Sequence, residues 1–244
     1  MDLISGVIAW FADPAHWQGP AGVPTRVAEH LAISAVALVL AAVMGLATGL
    51  WVGHTHRGAG LAVNLANLGR AFPTLAVMGL VFPVTAAIDN QLGFKVYPTL
   101  IALVILGLPP IIVNTYTGIS SVDPDLIEAA RGMGLTERRV LTRVEIPVSI
   151  PVISGGVRAA ATQIVATATL GAIFGGIGLG RFLVEGIAQN DDGMIFGGVT
   201  LVALLCIATE GLFTWIQRRL TSPGLAPAAV WMSRLQDVPA AARV

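Results

Sequence analysis

Apolar residues run in five long blocks, at about 30–53, 59–83, 97–119, 151–174 and 194–216, with short polar connections between them. Each block has the roughly 20 mostly apolar residues that a helix needs to cross the hydrocarbon core. None alternates polar and apolar positions as a membrane-barrel strand does. Backbone groups in lipid must be satisfied within their own segment, so the blocks predict five transmembrane helices. Small residues recur four apart within or beside them, as at Gly45, Gly49 and Gly53, Gly171 and Gly175, and Gly193 and Gly197. This spacing lets helices approach closely and predicts a tight bundle. No internal repeat or low-complexity stretch is present.

Lys and Arg orient the blocks. One set of connections holds Arg57, Arg131, Arg138, Arg139, Arg143, Arg218, Arg219, Arg234 and Arg243; the opposite set holds Arg26, Lys95 and Arg181. Nine against three places the first set in the cytoplasm and the N-terminus outside. Residues 1–28 are expected as an N-terminal interfacial or periplasmic segment. Met1 to Phe11 lacks the positive n-region of a secretory signal and is too short to span, while Trp10, Phe11 and Trp17 suit the headgroup layer. Residues 29–220 form one membrane domain, and 221–244 a loosely ordered cytoplasmic tail.

Composition sharpens the picture. Of 244 residues, 55% are hydrophobic and 11% charged, against about 25% charged in soluble domains. A formal net charge of +0 gives no basic character that would suit nucleic acid. Cys206, the one cysteine, excludes an internal disulfide and reads as a small buried residue in an apolar run. The histidines are His16, His30, His54 and His56; none lies deep in a block, which argues against a membrane-embedded enzyme. A short turn with His54, His56 and Arg57 lacks the further ligands of a metal site. No charged or carbonyl-rich filter supports a channel subunit. No Gly-x-x-x-x-Gly-Lys-Ser/Thr loop occurs, so an ATP-driven process needs another chain.

The connection between the third and fourth blocks is the most informative stretch. Asp123 and Pro124 read as a helix start, Gly132 and Gly134 as a break, Thr136 as the cap of a second short helix, and Pro147 as its end. Leu126, Ile127, Ala130, Met133 and Leu135 form an apolar patch inside a charged rim, the anatomy of either a docking element or a solvated loop. Glu128-Ala129-Ala130, Gly134 and Val144-Glu145-Ile146-Pro147, at these spacings, resemble the EAA signature of binding-protein-dependent ABC importer permeases of the type I, MetI-like fold. Val144 stands where the family more often has Ile.

The resemblance implies that 122–147 is a coupling loop. Glu128, Ala129, Ala130, Gly134, Leu135 and Pro147 would then form its docking element for an ATP-binding subunit. It implies two such subunits, a second permease subunit, identical or homologous, and an extracytoplasmic solute-binding protein, in the bacterial inner membrane. It implies no cofactor on this chain, with ATP and Mg used by the partner. Gly69 to Ala76, Leu108 to Gly118 and Ala166 to Gly180 resemble the branch that imports osmoprotectants such as glycine betaine, choline, carnitine and proline betaine. Permeases for amino acids, phosphonates or sulfonates are the alternative within the class.

Several polar residues inside the blocks are candidates for a translocation path or gate. Arg70 lies about eleven residues, or about 16 Å, into the second block, and shares a stripe with Asn64 and Asn67 just before Pro73. A charge there is costly, so it either serves the path or snorkels toward the interface. Asn114 and Tyr116 follow a break expected at Pro109-Pro110; they either line the path or satisfy freed backbone groups. Thr162 and Thr169 share a face with Arg158; back-bonding to their own helix is the plainer role for the threonines and snorkelling for Arg158. Glu210 is expected to pair or to be solvated at the interface. The Gly175–Gly180 run is expected to make a tight extracellular turn near the binding-protein docking face.

Overall fold

The computed structural model describes residues 3–89 and 91–221; within α3 below, the side chains of residues 65, 67, 70 and 71 fall outside the description, as does that of residue 3. The chain is all-helical among the described residues. It opens with α1 (Leu3–Ala12), a one-turn 3-10 segment (Pro14–Trp17), and α2 (Val23–Thr55). Then come α3 (Ala59–Ala71), α4 (Thr74–Ile88), α5 (Leu92–Lys95) and α6 (Tyr97–Ser120). After α6 follow α7 (Pro124–Gly132), α8 (Glu137–Val140), α9 (Ile146–Thr167), α10 (Gly180–Gln189) and α11 (Asp192–Leu220). Among the described residues, four stretches are long and apolar enough to cross a membrane: Val23–Thr55, Leu92–Ser120, Glu137–Phe174 and Asp192–Leu220.

The centre is a three-helix stack of α2 on α6 on α9. Ile33, Ala37, Leu103, Ile164 and Ala168 fill one layer, and Ala41, Ile111 and Ala160 the next. The glycine stripe of α2 makes the first contact. A Cβ at Gly45 would lie 2.8 Å from Ile111 Cγ2, at Gly49 2.6 Å from Thr115 Cβ, and at Gly53 2.7 Å from Ile119 Cβ. Both helices advance four residues per contact, so each missing side chain admits one branched side chain. Val39, Val43, Met44 and Trp51 of α2, and Leu204, Ile207 and Trp215 of α11, point outward. A face this apolar belongs against lipid or another chain.

The second expected block is not one helix. Phe72 (φ −78°, ψ 124°) and Pro73 (φ −60°, ψ 123°) are extended, and α3 and α4 end and begin around them. Proline disfavours helical backbone in the residue before it, so Pro73 breaks the second block into two helices. Pro73 therefore caps α4 rather than bending a helix. After α4, Asp89 accepts backbone hydrogen bonds from Gln91 and Leu92 (2.7 and 2.6 Å). These hold its carboxyl below the ordinary carboxylate value.

Two expected breaks are absent. Tyr97–Ser120 is helical throughout, with Pro109 and Pro110 both buried inside it. Pro147 does not end a helix: it lies in the first turn of α9, where a missing N–H costs little. Just before it, Leu141–Glu145 form a wide π-turn in which Ile146 N–H reaches back to Leu141 O. Glu137 to Phe174 thus runs as one uninterrupted helical rod of 38 residues. Residues 3–12 also differ from a purely interfacial segment. Trp10 is buried, stacks on His16 (centroids 4.6 Å), meets Phe182 edge-on (5.2 Å) and covers Gly197 of α11.

Gly49→Ala is expected to cost about 1–3 kcal/mol by overpacking against Thr115. Gly60→Ala, with open space at the Cβ position, is expected to change stability by less than about 1 kcal/mol. Thermal unfolding in mild detergent separates the two; equal shifts would count against glycine-mediated contact.

Candidate functional site

The loop between α6 and α9 is built by its own sequence. Asp123 caps α7, its carboxylate accepting from Asp125 N (2.9 Å), and Pro124 occupies the first helical turn. The helix stops in a Schellman turn. Gly134 N–H donates to Arg131 O (2.9 Å) and Leu135 N–H to Ala130 O (3.2 Å), with Gly134 at φ +83°. Only glycine holds that conformation without strain. Arg131 then closes the bend with two parallel bonds to Glu137, Nε to Oε1 at 2.9 Å and Nη2 to Oε2 at 3.0 Å. Thr136 precedes α8 without a side-chain capping bond.

Glu128, Ala129 and Gly134 are exposed and Leu135 is half-buried. Ala130 is buried within the chain and so is not part of the outer patch. Pro147 is half-buried at the root of the rod. The apolar outer surface consists chiefly of Met133, 75% exposed, and Leu126, 44% exposed.

One tether went unread in the sequence. His54, in the last turn of α2, donates from Nδ1 to Glu145 Oε2 (2.7 Å), and its Nε2 lies 3.7 Å from Glu137 Oε2. Glu145 is 4% exposed. The imidazole therefore joins the first long helix to both ends of the α8 and π-turn segment. Glu145 stands inside the Val-Glu-Ile-Pro motif, but its partner is 91 residues away in sequence, and no local pattern points to it. Among the described residues, no group of histidine, cysteine and carboxylates could hold a metal ion.

Among the described side chains, the intramembrane candidates do not converge on one site. Asn64 is exposed on α3, and the side chains of Asn67 and Arg70 lie outside the described ones. Asn114 donates from Nδ2 to Pro110 O (2.8 Å), so it satisfies its own helix, and its Cβ packs against Gly156. Tyr116 is half-buried in α6. Thr169 bonds back to Ala166 O (2.9 Å).

Thr162 is the exception: its hydroxyl donates to Glu210 Oε2 (2.9 Å) on α11. Arg158 Nε pairs with Glu210 Oε1 (3.3 Å), and Arg158 Nη1 donates to Thr214 Oγ1 (3.1 Å). Arg158 therefore pairs with α11 rather than snorkelling. Thr162 and Glu210 of this cluster also line a cleft of about 620 Å³, together with Leu106 and Pro110 of α6 and Ala159, Gln163 and Ala166 of α9.

At the opposite end of the bundle, Gly178 (φ +95°) gives its N–H to Glu29 Oε2 (2.9 Å), which also accepts from Arg26 Nη1 (3.0 Å). Arg181 pairs with Glu185 one helical turn on (2.8 Å). The glycine run is thus a tight turn held by a charged rim.

His54→Ala is expected to leave the Glu145 carboxylate buried without its partner, at a cost of about 1–3 kcal/mol. Amide exchange across residues 124–140 should accelerate. His56→Asn, at an exposed left-handed position, should change neither. Thermal unfolding and hydrogen exchange check both; matching responses would count against the tether.

The profile of the family described as "Binding-protein-dependent transport system inner membrane component" matches residues 38–222. A glycine betaine/carnitine/choline transport system permease protein, OpuCB of Bacillus subtilis, is 32% identical over 200 residues, covering 82% of this chain and 89% of that protein. An osmoprotectant import permease protein, OsmW of Salmonella typhimurium, is 34% identical over 197 residues, covering 81% and 91%. In structure, a chain of the inward-facing MetNI methionine ABC transporter superposes with a TM-score of 0.73 at 20% identity, over 86% of this chain and 100% of that one. The chain belongs to this family of inner membrane components: it is the permease subunit of an ABC importer, a transport subunit and not itself a catalyst.

Proposed function

We propose that the chain imports quaternary ammonium compatible solutes such as glycine betaine, choline, carnitine and proline betaine. The relatives named above as betaine, carnitine, choline and osmoprotectant permeases support this cargo. The observation that carries the mechanism is the Schellman-ended α7–α8 bend. It presents Met133 and Leu126 on a short, rigid knob at the foot of a 38-residue rod.

In this reading two ATP-binding subunits grip the knobs of two permease subunits, and each binds ATP and Mg itself. Residues 128–135 make the contact and Pro147 starts the rod. The knob end faces the cytoplasm, where the excess of arginine in residues 131–143 belongs. The Gly178 end then faces a solute-loaded binding protein. The α3–α4 pair makes a fifth crossing in two pieces, and residues 29–220 form the permease domain. Nucleotide-driven closure of the partner moves the knob. The rod carries that movement about 55 Å along its axis, and the His54 tether takes α2 with it. ATP thereby shifts the population between inward- and outward-open states.

The test is co-purification after mild detergent extraction, with Gly134→Asp plus Leu135→Glu as the variant. The native chain is expected to bring an ATP-binding subunit and support labelled glycine betaine uptake. The variant should lose the subunit and at least tenfold of the uptake. Retention of both by the variant would remove the knob from the contact. Native association without uptake of any quaternary ammonium solute would change the cargo and leave the docking reading standing.

A further inference from the structure

Glu210 lies ten residues before the end of α11, about 15 Å along its axis. Arg158 lies twelve residues into α9, about 18 Å from its start. Both sit within candidate membrane spans, yet their side chains are 48% and 33% exposed. Gln163 beside them is exposed and makes no hydrogen bond to a described residue. Charges and amides at that depth are costly unless they face water or a polar partner. Glu210 lines a cleft of about 620 Å³ together with Thr162, Gln163, Ala159 and Ala166, and Arg158 reaches this cleft's edge through its pair with Glu210.

We infer that the Arg158–Glu210 pair is a solute-contact gate in the path, which zwitterionic solutes open by replacing each charge with its counterpart. The inference rests on the cargo reading above and adds a selection rule to it. Separating an ion pair within a membrane span leaves two uncompensated charges where each is costly. A betaine re-pairs both at once, its carboxylate on Arg158 and its ammonium facing Glu210. A simple cation such as choline re-pairs only Glu210, and a simple anion only Arg158, so each opens the pair less readily than a betaine does. Thr214 and Thr162 hold the arginine and the glutamate in place while the pair is open. Exposed charges bind the solute weakly enough to release it, which conduction through a path requires.

The experiment measures uptake of labelled glycine betaine and of labelled choline in cells carrying the full importer, with assembled complex quantified for every variant. Arg158→Gln, Glu210→Gln and the double Arg158→Gln/Glu210→Gln are compared with the native chain. The double variant leaves no unpaired charge, so it carries the test if a single variant fails to assemble. Expected are a tenfold or greater loss of betaine uptake in every assembled variant, and at least a tenfold shift of the choline-to-betaine ratio toward choline in Arg158→Gln. Recovery of native betaine uptake in the double variant would make the pair a packing device and overturn the inference. So would parallel loss of both solutes in Arg158→Gln, or failure of the double variant to assemble. A native importer that takes up neither solute overturns the cargo reading and this inference with it. Native uptake with an unaffected double variant overturns the inference alone.

Discussion

Along Gly45, Gly49 and Gly53 the backbone of α2 lies directly against the branched side chains of Ile111, Thr115 and Ile119, with no room for a Cβ. In lipid the hydrophobic effect gives helices no reason to associate, so close contact of this kind supplies the adhesion. The rest of the molecule is placed from it. Once α2 and α6 are in register, Gly107 of α6 admits Ile164 of α9, and Gly156 of α9 admits Asn114 of α6. The stack is therefore a chain of knobs and gaps, each fixing the rotation of the next helix. That rotation is what brings His54 to Glu145 at one level and Arg158 to Glu210 at another.

The two polar clusters differ in physical character. The His54–Glu145 contact is nearly dry, with Glu145 at 4% exposure, and joins elements far apart in sequence. Such a contact fixes one arrangement because its loss strands a buried charge. The Arg158 cluster is open on one side and shares its charges with two threonines. A network of that kind tolerates exchange of partners. The first suits transmission of force and the second suits passage of a solute.

Much of the fold was legible because hydrophobic length is a direct reading of membrane thickness. The first, third and fifth blocks differ from α2, α6 and α11 by a few residues at most ends and by seven at the start of α2. The breaks were harder, because proline acts through its surroundings. Pro73 breaks the chain, Pro109 and Pro110 sit inside an intact helix, and Pro147 starts a helix behind a π-turn. Residue identity alone does not separate these outcomes; what decides is whether neighbouring backbone groups find other partners. The α7 cap and the Gly134 turn were readable, since both depend on neighbours within a few residues. The His54–Glu145 and Arg158–Glu210 contacts were not, since they span 91 residues and about half that. Helix α10 went unread because its ten residues are too few and too polar for a span.

The packing of Trp10 over Gly197 has a consequence for how the molecule is made. Helix α1 is synthesised before α2 to α11, yet it packs on α11, the last of the described helices. The amino-terminal end must therefore wait, undocked, while every intervening helix is inserted. Its docking on α11 joins the first and last of the described helices. A nascent chain halted before α11 would lack the Gly197 surface against which Trp10 packs.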